Sequence, residues 1–146
     1  YLKDITKSFE EIGNKKFTFN FDQDSNPKKI SKSIEVVYGL KNFIGNAYKF
    51  SKETVFINLK SDSTMTEITI EDDGDGYPKD VLPKIGEPYL KTSYIENKDK
   101  AGLGLGIFIG KTLLEKNFAK IICRNSKTRS GAEVLIKWKN RELFNV

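Results

Sequence analysis

The stretch Lys100–Asn117, "KAGLGLGIFIGKTLLEKN", offers three kinds of phosphate-binding site, each typical of a different fold. The first is the dinucleotide pattern G-x-G-x-x-G, which needs a third glycine three positions after the second. That position is occupied by Ile107 or Ile109, depending on which glycine starts the pattern. A charged loop instead of a strand also precedes the stretch. The dinucleotide pattern is therefore absent.

The second kind is the P-loop, G-x-x-x-x-G-K-[ST], whose end matches Gly110-Lys111-Thr112. Its first glycine falls on Leu105, and the bulky apolar residues that follow are typical of a buried helix. We therefore predict that Lys111 and Thr112 are ordinary helix residues. The third kind remains, a glycine-rich turn from Gly102 to Gly106. Its amides at the start of a helix would bind an anion, or the glycines would serve as the hinge of a mobile loop.

The composition indicates one globular domain and excludes several kinds of chemistry. The 146 residues are 38% hydrophobic, yet no apolar run approaches the roughly 20 residues that span a bilayer. No histidine is present, which excludes Ser-His-Asp triads and most zinc sites. The net charge of +5 comes from lysines scattered along the chain, so we expect no nucleic-acid partner. The single Cys123 predicts a reducing compartment and a small core residue.

The predicted elements follow the order strand, helix, two strands, long loop, helix, two strands. Residues 1–14 have apolar positions at helical spacing, so we expect a linker or the tail of a preceding dimerisation-domain helix. Because the chain opens on Tyr1 and not on Met, we also expect it to be a fragment of a longer protein. Residues 15–146 are predicted to form one domain. Its predicted strands are "KKFTFNFDQ", "TVFINLK", "MTEITIED", "AKIICRN" and "GAEVLIKWK", and its predicted helices are Ser33–Phe50 and about Gly104–Lys116, with a short helical turn around Val81–Ile85. This order predicts an α+β fold, an α/β sandwich with helices on one face of a sheet.

The stretch "EITIEDDGDGYP" carries a carboxylate at the end of a predicted strand. Asp72 ends the strand, and Gly74 and Gly76 then turn the backbone. A carboxylate can accept a hydrogen bond from an exocyclic amino group, and glycines let a flat base approach closely. The same Asp-Gly cluster is also typical of a plain turn.

The first predicted helix carries Asn42, Asn46 and Lys49 on one side, beside its apolar stripe. Amide oxygens are hard ligands suited to Mg²⁺, which shares phosphate oxygens, and the lysine would neutralise phosphate charge. The alternative from this helix alone is a solvated polar edge.

Together these stretches resemble the GHKL, or Bergerat-fold, ATP-binding superfamily. "NFIGNAYKFS" is similar to its N box, "DDGDG" to its G1 box and "GLGLGI" to its G2 box, in the right order. Within it, the chain resembles the catalytic, ATP-binding domain of bacterial sensor histidine kinases. "LPKIGEPYLKTS" followed by "GLGLGIFIGKTLLE" resembles the RegB/PrrB redox-responsive type. The resemblance covers roughly residues 35–138 and implies a mixed, mostly antiparallel sheet of about five strands, about three helices on one face and a long ATP lid.

The resemblance also implies roles for individual residues. Asn46 would be the principal Mg²⁺ ligand, assisted by Asn42, and Lys49 would contact the phosphates, so that these three form the catalytic set. Asp72 would bind the adenine amino group. The other implied nucleotide contacts are Gly74 and Gly76 in the base pocket, Lys91 and Thr92 in the lid (about residues 85–101), and Gly102, Leu103, Gly104, Leu105 and Gly106 at the phosphates and the lid hinge. Three positions depart from the family pattern: Ala101 replaces a frequent glycine, Phe50 a common tyrosine, and the third glycine box is reduced to Ser130–Val134, "SGAEV".

Position 42 separates the relatives by chemistry. Members that hydrolyse ATP have Glu there as a general base, whereas Asn42 cannot accept a proton, which favours transfer to an acceptor other than water. Because the chain has no histidine, the resemblance implies transfer of the γ-phosphate of Mg-ATP to a His on the dimerisation domain of the same homodimeric full-length protein. A response regulator would be the next partner. The implied location is the cytoplasmic domain of an inner-membrane-anchored bacterial sensor.

Two alternatives stay open. The first is a serine kinase of the anti-sigma-factor type, with the same ATP site but a Ser acceptor on a partner; the "GEPY" segment and the N-terminal helix tail argue against it. The second is a nucleotide-binding interaction domain without catalysis. The intact Asn46, Lys49 and Asp72 argue against that.

Overall fold

The structure, a computed structural model, describes residue 7 and residues 15–21, 33–85 and 103–139. The predicted helical tail over residues 1–14, apart from residue 7, and the predicted lid beyond Ile85 lie outside the described residues.

Within the described ranges, five strands form one sheet: β1 (Lys16–Phe21), β2 (Thr54–Ser61), β3 (Met65–Asp72), β4 (Lys120–Asn125) and β5 (Ala132–Lys139). Their order across the sheet is β1-β2-β3-β5-β4. Strands β1 and β2 are parallel, and the other three neighbouring pairs are antiparallel. The predicted mixed, mostly antiparallel sheet is confirmed.

The described residues contain two α-helices, α1 (Ile34–Phe50) and α2 (Leu103–Lys116), and a short 3₁₀ helix over Leu82–Lys84. Ser33 caps α1, because its hydroxyl oxygen accepts the Val36 N–H at 3.4 Å. The order of elements, including the helical turn after Val81, is confirmed. Helix α2 begins at Leu103, so Leu103–Gly106 form its first turn and not a turn that precedes it. None of the helices in the described ranges is long and apolar enough to cross a membrane.

The core lies between the two helices and one face of the sheet. Alternation along the strands directs one set of side chains towards the helices, and the apolar stripe of α1 covers them. The largest fully buried side chains are Trp138, Phe43, Ile44, Ile57, Ile70, Ile107, Leu114, Ile136, Val55 and Val81. Cys123 is half-buried and packs against this core, so the prediction of a small core residue is met only in part.

The glycine of the Gly-Lys-Thr triplet serves helix packing. A Cβ on Gly110 would lie 2.9 Å from the Phe43 ring and 3.2 Å from the Gly39 carbonyl oxygen, so α1 and α2 cross closely at this point. Lys111 forms an i,i+4 ion pair with Glu115 at 3.8 Å. The prediction that Lys111 and Thr112 are ordinary helix residues is confirmed.

Candidate nucleotide-binding site

Two cavities meet at one face of α1. The first, which we call the α1 groove, has a volume of about 340 Å³ and is lined by Tyr38, Lys41, Asn42, Gly45, Asn46, Lys49 and Gly106. The second, which we call the Asp72 pocket, has a volume of about 20 Å³ and is lined by Asn46, Phe50, Asp72, Asp75, Gly76, Tyr77 and Ala132. Because Asn46 lines both, the two cavities adjoin at this residue.

Asp72 ends β3 as a buried carboxylate with one oxygen held by the backbone. Only 3% of the residue is exposed, and its Oδ1 accepts the N–H of Gly74 at 2.9 Å and of Ala132 at 3.3 Å. Burial raises the pKa of Asp72, and these two amides oppose the rise only in part. Among the described residues, Oδ2 has no hydrogen-bond partner. That oxygen is therefore available to a donor that enters the pocket.

The pocket is narrow. A volume of about 20 Å³ holds little more than a water molecule, so only the edge of a planar ring fits between the walls as they stand. An edge that carries an N–H group is the part of a purine that would reach Asp72 first.

Asp73 fixes the turn that follows Asp72. Its carboxylate accepts the amides of Lys52, Glu53 and Thr54 at 2.7–3.2 Å, which fastens the Asp-Gly segment to the connection between α1 and β2. Partial burial raises the pKa of Asp73, but these three amides outweigh it, and the pKa lies below the ordinary range. Gly74 allows this segment to lie close to the end of α1, because a Cβ on residue 74 would lie only 2.2 Å from the Phe50 carbonyl oxygen.

The α1 groove brings amide and ammonium groups next to the first turn of α2. Asn42 Nδ2 donates to the Tyr38 carbonyl at 2.8 Å, and since a carbonyl can only accept, this bond fixes which atom of the amide is Oδ1. A Cβ on Gly106 would lie 3.8 Å from that Oδ1. The half-exposed Asn46 and the exposed Lys49 follow along the same side of the helix.

The first four N–H groups of α2, from Leu103 to Gly106, have no partner within the helix, as in any α-helix. They lie at the positive end of the helix dipole. The groove therefore combines two amide side chains, a lysine and a helix N-terminus, a set that suits an anion together with a hard cation.

The family follows from a match to the whole of this region. A family model described as "Histidine kinase-, DNA gyrase B-, and HSP90-like ATPase" matches residues 31–142. The chain belongs to this ATPase family.

Individual relatives agree with the family. The sensor histidine kinase RegB of Cereibacter sphaeroides is 36% identical over 130 residues, which cover 79% of this chain and 28% of that protein. The chain thus spans about 28% of the length of this relative. The catalytic domain of the histidine kinase ThkA, in a nucleotide-free form, superposes with a TM-score of 0.75 at 21% identity, over 94% of this chain and 89% of that one. The mycobacterial sensor histidine kinase MprB superposes with a TM-score of 0.71 at 20% identity, over 94% and 92% of the two chains.

These matches confirm the predicted resemblance to sensor histidine kinases of the RegB type and the Bergerat-type α/β sandwich. The structure brings Asn42, Asn46, Lys49 and Gly106 together in the α1 groove and places Asp72 and Gly76 in the Asp72 pocket. Gly74, which was predicted to shape the base pocket, is buried and is not among the residues that line the Asp72 pocket. Leu103, Gly104 and Leu105 lie in the first turn of α2, while Lys91, Thr92 and Gly102 lie outside the described residues.

Three residues of this ATPase-family site escape sequence reasoning: Asp73, Asn125 and Gly131. Asp73 and Asn125 act through hydrogen bonds to segments 19 to 48 residues away, for which the local sequence gives no signal. Gly131 did have a signal, as the glycine of the reduced third box "SGAEV". A Cβ at that position would lie 1.9 Å from the Asp72 carbonyl oxygen. The close approach of the β4–β5 turn to Asp72 therefore depends on a glycine there.

Proposed function

We propose that this chain is the ATP-binding catalytic domain of a two-component sensor histidine kinase, which binds Mg-ATP and transfers its γ-phosphate to a His on a separate dimerisation domain. The observation that carries the proposal is that the Asp72 pocket and the α1 groove adjoin at Asn46, which lines both. One end of this site suits a purine edge and the other suits a metal-bound phosphate chain.

Asp72 would select the base. Its Oδ2 accepts the exocyclic amino group of adenine, while the Gly74 and Ala132 amides hold Oδ1 and prevent the carboxylate from rotating away. Guanine presents a carbonyl oxygen at the corresponding ring position, which a carboxylate repels. The preference for adenine is therefore a consequence of charge and donor pattern.

Asn46 and Asn42 would hold Mg²⁺ through their amide oxygens, and Lys49 would contact the phosphates. The Tyr38 carbonyl keeps the Asn42 oxygen directed at the groove, so this ligand is oriented before any ion arrives. Mg²⁺, when bound, would neutralise the charge that develops on the phosphoryl oxygens. The first-turn amides of α2 and the Lys49 ammonium would add positive potential at the same place.

The groove favours transfer over hydrolysis. None of the described residues that line it is an Asp, Glu or His, so none of these residues can act as a general base on a water molecule there. The acceptor must bring its own nucleophile, which a His on a dimerisation domain of the homodimeric full-length protein would do. A response regulator would then receive the phosphoryl group, and the domain would be the cytoplasmic part of an inner-membrane-anchored bacterial sensor.

The test of nucleotide binding is calorimetric titration of Mg-ADP into the wild type and Asp72→Asn. The backbone amides would retain the Asn oxygen, so the Asn Nδ2 would face the adenine amino group, donor against donor. Loss of a charged hydrogen bond of about 1.5–3 kcal/mol predicts roughly 10- to 150-fold weaker binding. A wild type that produces no heat with Mg-ADP would refute the proposal.

The test of transfer is incubation with radiolabelled ATP and the separately produced dimerisation domain. Acid-labile phosphate on that domain, and none on this chain, is the expected result. Rapid steady-state hydrolysis by this chain alone would contradict transfer, and acid-stable phosphoserine on a partner would support the serine-kinase alternative instead.

A further inference from the structure

Asn125 of strand β4 holds Tyr77, one wall of the Asp72 pocket, through two hydrogen bonds. The Tyr77 N–H donates to Asn125 Oδ1 at 2.7 Å, and Asn125 Nδ2 donates to the Tyr77 carbonyl at 3.0 Å. Burial raises the pKa of the Cys123 thiol, and an interaction with the Tyr77 side chain offsets part of that rise. Cys123 and Asn125 are two residues apart in a strand and therefore face the same side of the sheet. Tyr77 itself is only 5% exposed.

An asparagine is the side chain that this arrangement needs. It both donates and accepts, so it satisfies both backbone groups of Tyr77 in the way a neighbouring strand would. An aspartate would satisfy the N–H and leave the carbonyl without a donor. Gly76 permits the close approach: its φ is +79°, and a Cβ there would lie 2.8 Å from Asn125 Oδ1.

The cross-strand pair to which Asn125 belongs also fixes Asp72. Asn125 and Ala132 are cross-strand partners at the end of the β4–β5 pair. Ala132 lines the pocket and donates its N–H to Asp72 Oδ1 at 3.3 Å. Within this pair, Asn125 therefore fixes Tyr77, and Ala132 fixes the Asp72 carboxylate.

We propose that Asn125 is a positioning and specificity residue for the nucleotide base: it holds the Gly76–Tyr77 wall at the distance from Asp72 that admits an adenine edge. The inference rests on the proposed function, because it takes the Asp72 pocket as the base subsite. Asn125 lies outside the residues that line the α1 groove, so it acts on the base and not on the phosphate chain.

The test compares three ligands, Mg-ADP, Mg-GDP and the base-free Mg-tripolyphosphate, on the wild type and two variants. Asn125→Ala removes both hydrogen bonds to Tyr77 and should weaken Mg-ADP binding about tenfold. Asn125→Asp keeps the hydrogen bond from the Tyr77 N–H and should therefore lose less Mg-ADP affinity than Asn125→Ala. In both variants the preference for ADP over GDP should fall, while tripolyphosphate affinity should stay at the wild-type value.

The matched control is Arg124→Ala. Arg124 is the neighbour of Asn125 on β4, faces the opposite side of the sheet and bonds to Glu133. This variant also removes a polar contact of β4, but it leaves Tyr77 untouched. It should bind all three ligands like the wild type.

The thiol of Cys123 gives an independent readout, because it is the only cysteine in the chain. Burial raises its pKa to about 11, and the Tyr77 side chain interacts with it, so alkylation by iodoacetamide at mildly alkaline pH should be slow. Release of Tyr77 in Asn125→Ala should expose the thiol and speed alkylation severalfold. Arg124→Ala should react at the wild-type rate.

Each outcome bears on the inference in a defined way. An equal loss of affinity for ADP, GDP and tripolyphosphate would mean that Asn125 serves only the fold. Unchanged affinities for ADP and GDP would mean that the Gly76–Tyr77 wall does not need Asn125. Either outcome overturns the inference. If Asn125→Ala does not fold, the Asp variant decides by the same ligand ratios. A wild type that binds no Mg-ADP refutes the proposed function itself, which is a separate result.

Discussion

The turn between β4 and β5 should not tolerate a side chain at position 131. In Gly131→Ala the new Cβ would lie 1.9 Å from the Asp72 carbonyl oxygen and 2.2 Å from its Oδ1, where an ordinary contact needs at least 3.4 Å. One of the two backbone segments must therefore move by about 1.5 Å, and neither is the free end of a flexible side chain. Over-packing of this kind costs about 3 kcal/mol.

Two measurements check this result. The melting temperature followed by circular dichroism should fall by about 10 °C for a domain of this size. Mg-ADP affinity, measured below the melting transition, should fall more than about tenfold, because the shift breaks the hydrogen bond from Ala132 to Asp72. A variant that melts within a few degrees of the wild type and binds Mg-ADP equally well would refute the reasoning about this contact.

Gly106→Ala is the matched control, since it makes the same chemical change at a site with space. The nearest atom to its Cβ would be Asn42 Oδ1 at 3.8 Å. Because Ala favours a helix over Gly by up to about 1 kcal/mol, this variant should melt at or above the wild-type temperature. Its methyl group enters the α1 groove, so any loss of affinity should appear with Mg-tripolyphosphate as well as with Mg-ADP.

Three further substitutions test other parts of the structure. Phe118 lies two residues after the end of α2, has φ +70° and is 63% exposed. Phe118→Gly should therefore be about 1 kcal/mol more stable than Phe118→Ala in urea denaturation, and equal stability would mean that the backbone there is not strained. Burial, together with the neighbouring Glu133, raises the pKa of Glu71 above its ordinary 4.5, so ionisation costs stability as the pH rises from 4.5 through the raised pKa. Glu71→Gln should accordingly be more stable than the wild type at neutral pH and lose that advantage below pH 4.5, and an advantage independent of pH would contradict the shift. Lys15 Nζ donates to the Tyr48 carbonyl at 2.6 Å near the end of α1. Lys15→Met should therefore lower the free energy of unfolding by about 0.5–1 kcal/mol. If the whole of this loss persists at about 1 M salt, a charge effect is excluded.

The elements of the fold could be predicted because their signals are local. Short apolar or alternating runs identified all five strands, and helical spacing predicted α1 from about Ser33 to Phe50, one residue longer than the observed helix. The positions of the bulky residues in "GIFIGK" were sufficient to reject a P-loop, since side-chain size decides whether amides can surround a phosphate. The groups that line the site, Asn42, Asn46, Lys49 and Asp72, were also identified from type and spacing.

What supports those groups could not be predicted in the same way. The sheet order β1-β2-β3-β5-β4 depends on contacts between distant strands. The hydrogen bonds between Asn125 and Tyr77 and from Ala132 to Asp72 join residues that are 48 and 60 positions apart, respectively. Periodicity describes which face of an element is apolar, but not which other element comes to lie against it.

The sequence by itself therefore indicated the family through the resemblance of its motifs. Residue type at short spacing indicated the elements and the polar groups that line the candidate site. Only the tertiary structure decided how these groups are held. Asp73 clamps a turn to another loop, Gly131 leaves room for Asp72, and Asn125 takes the place of a strand beside Tyr77. Buried backbone groups must find partners wherever the chain happens to pass, and that depends on packing of the whole domain and not on its local pattern.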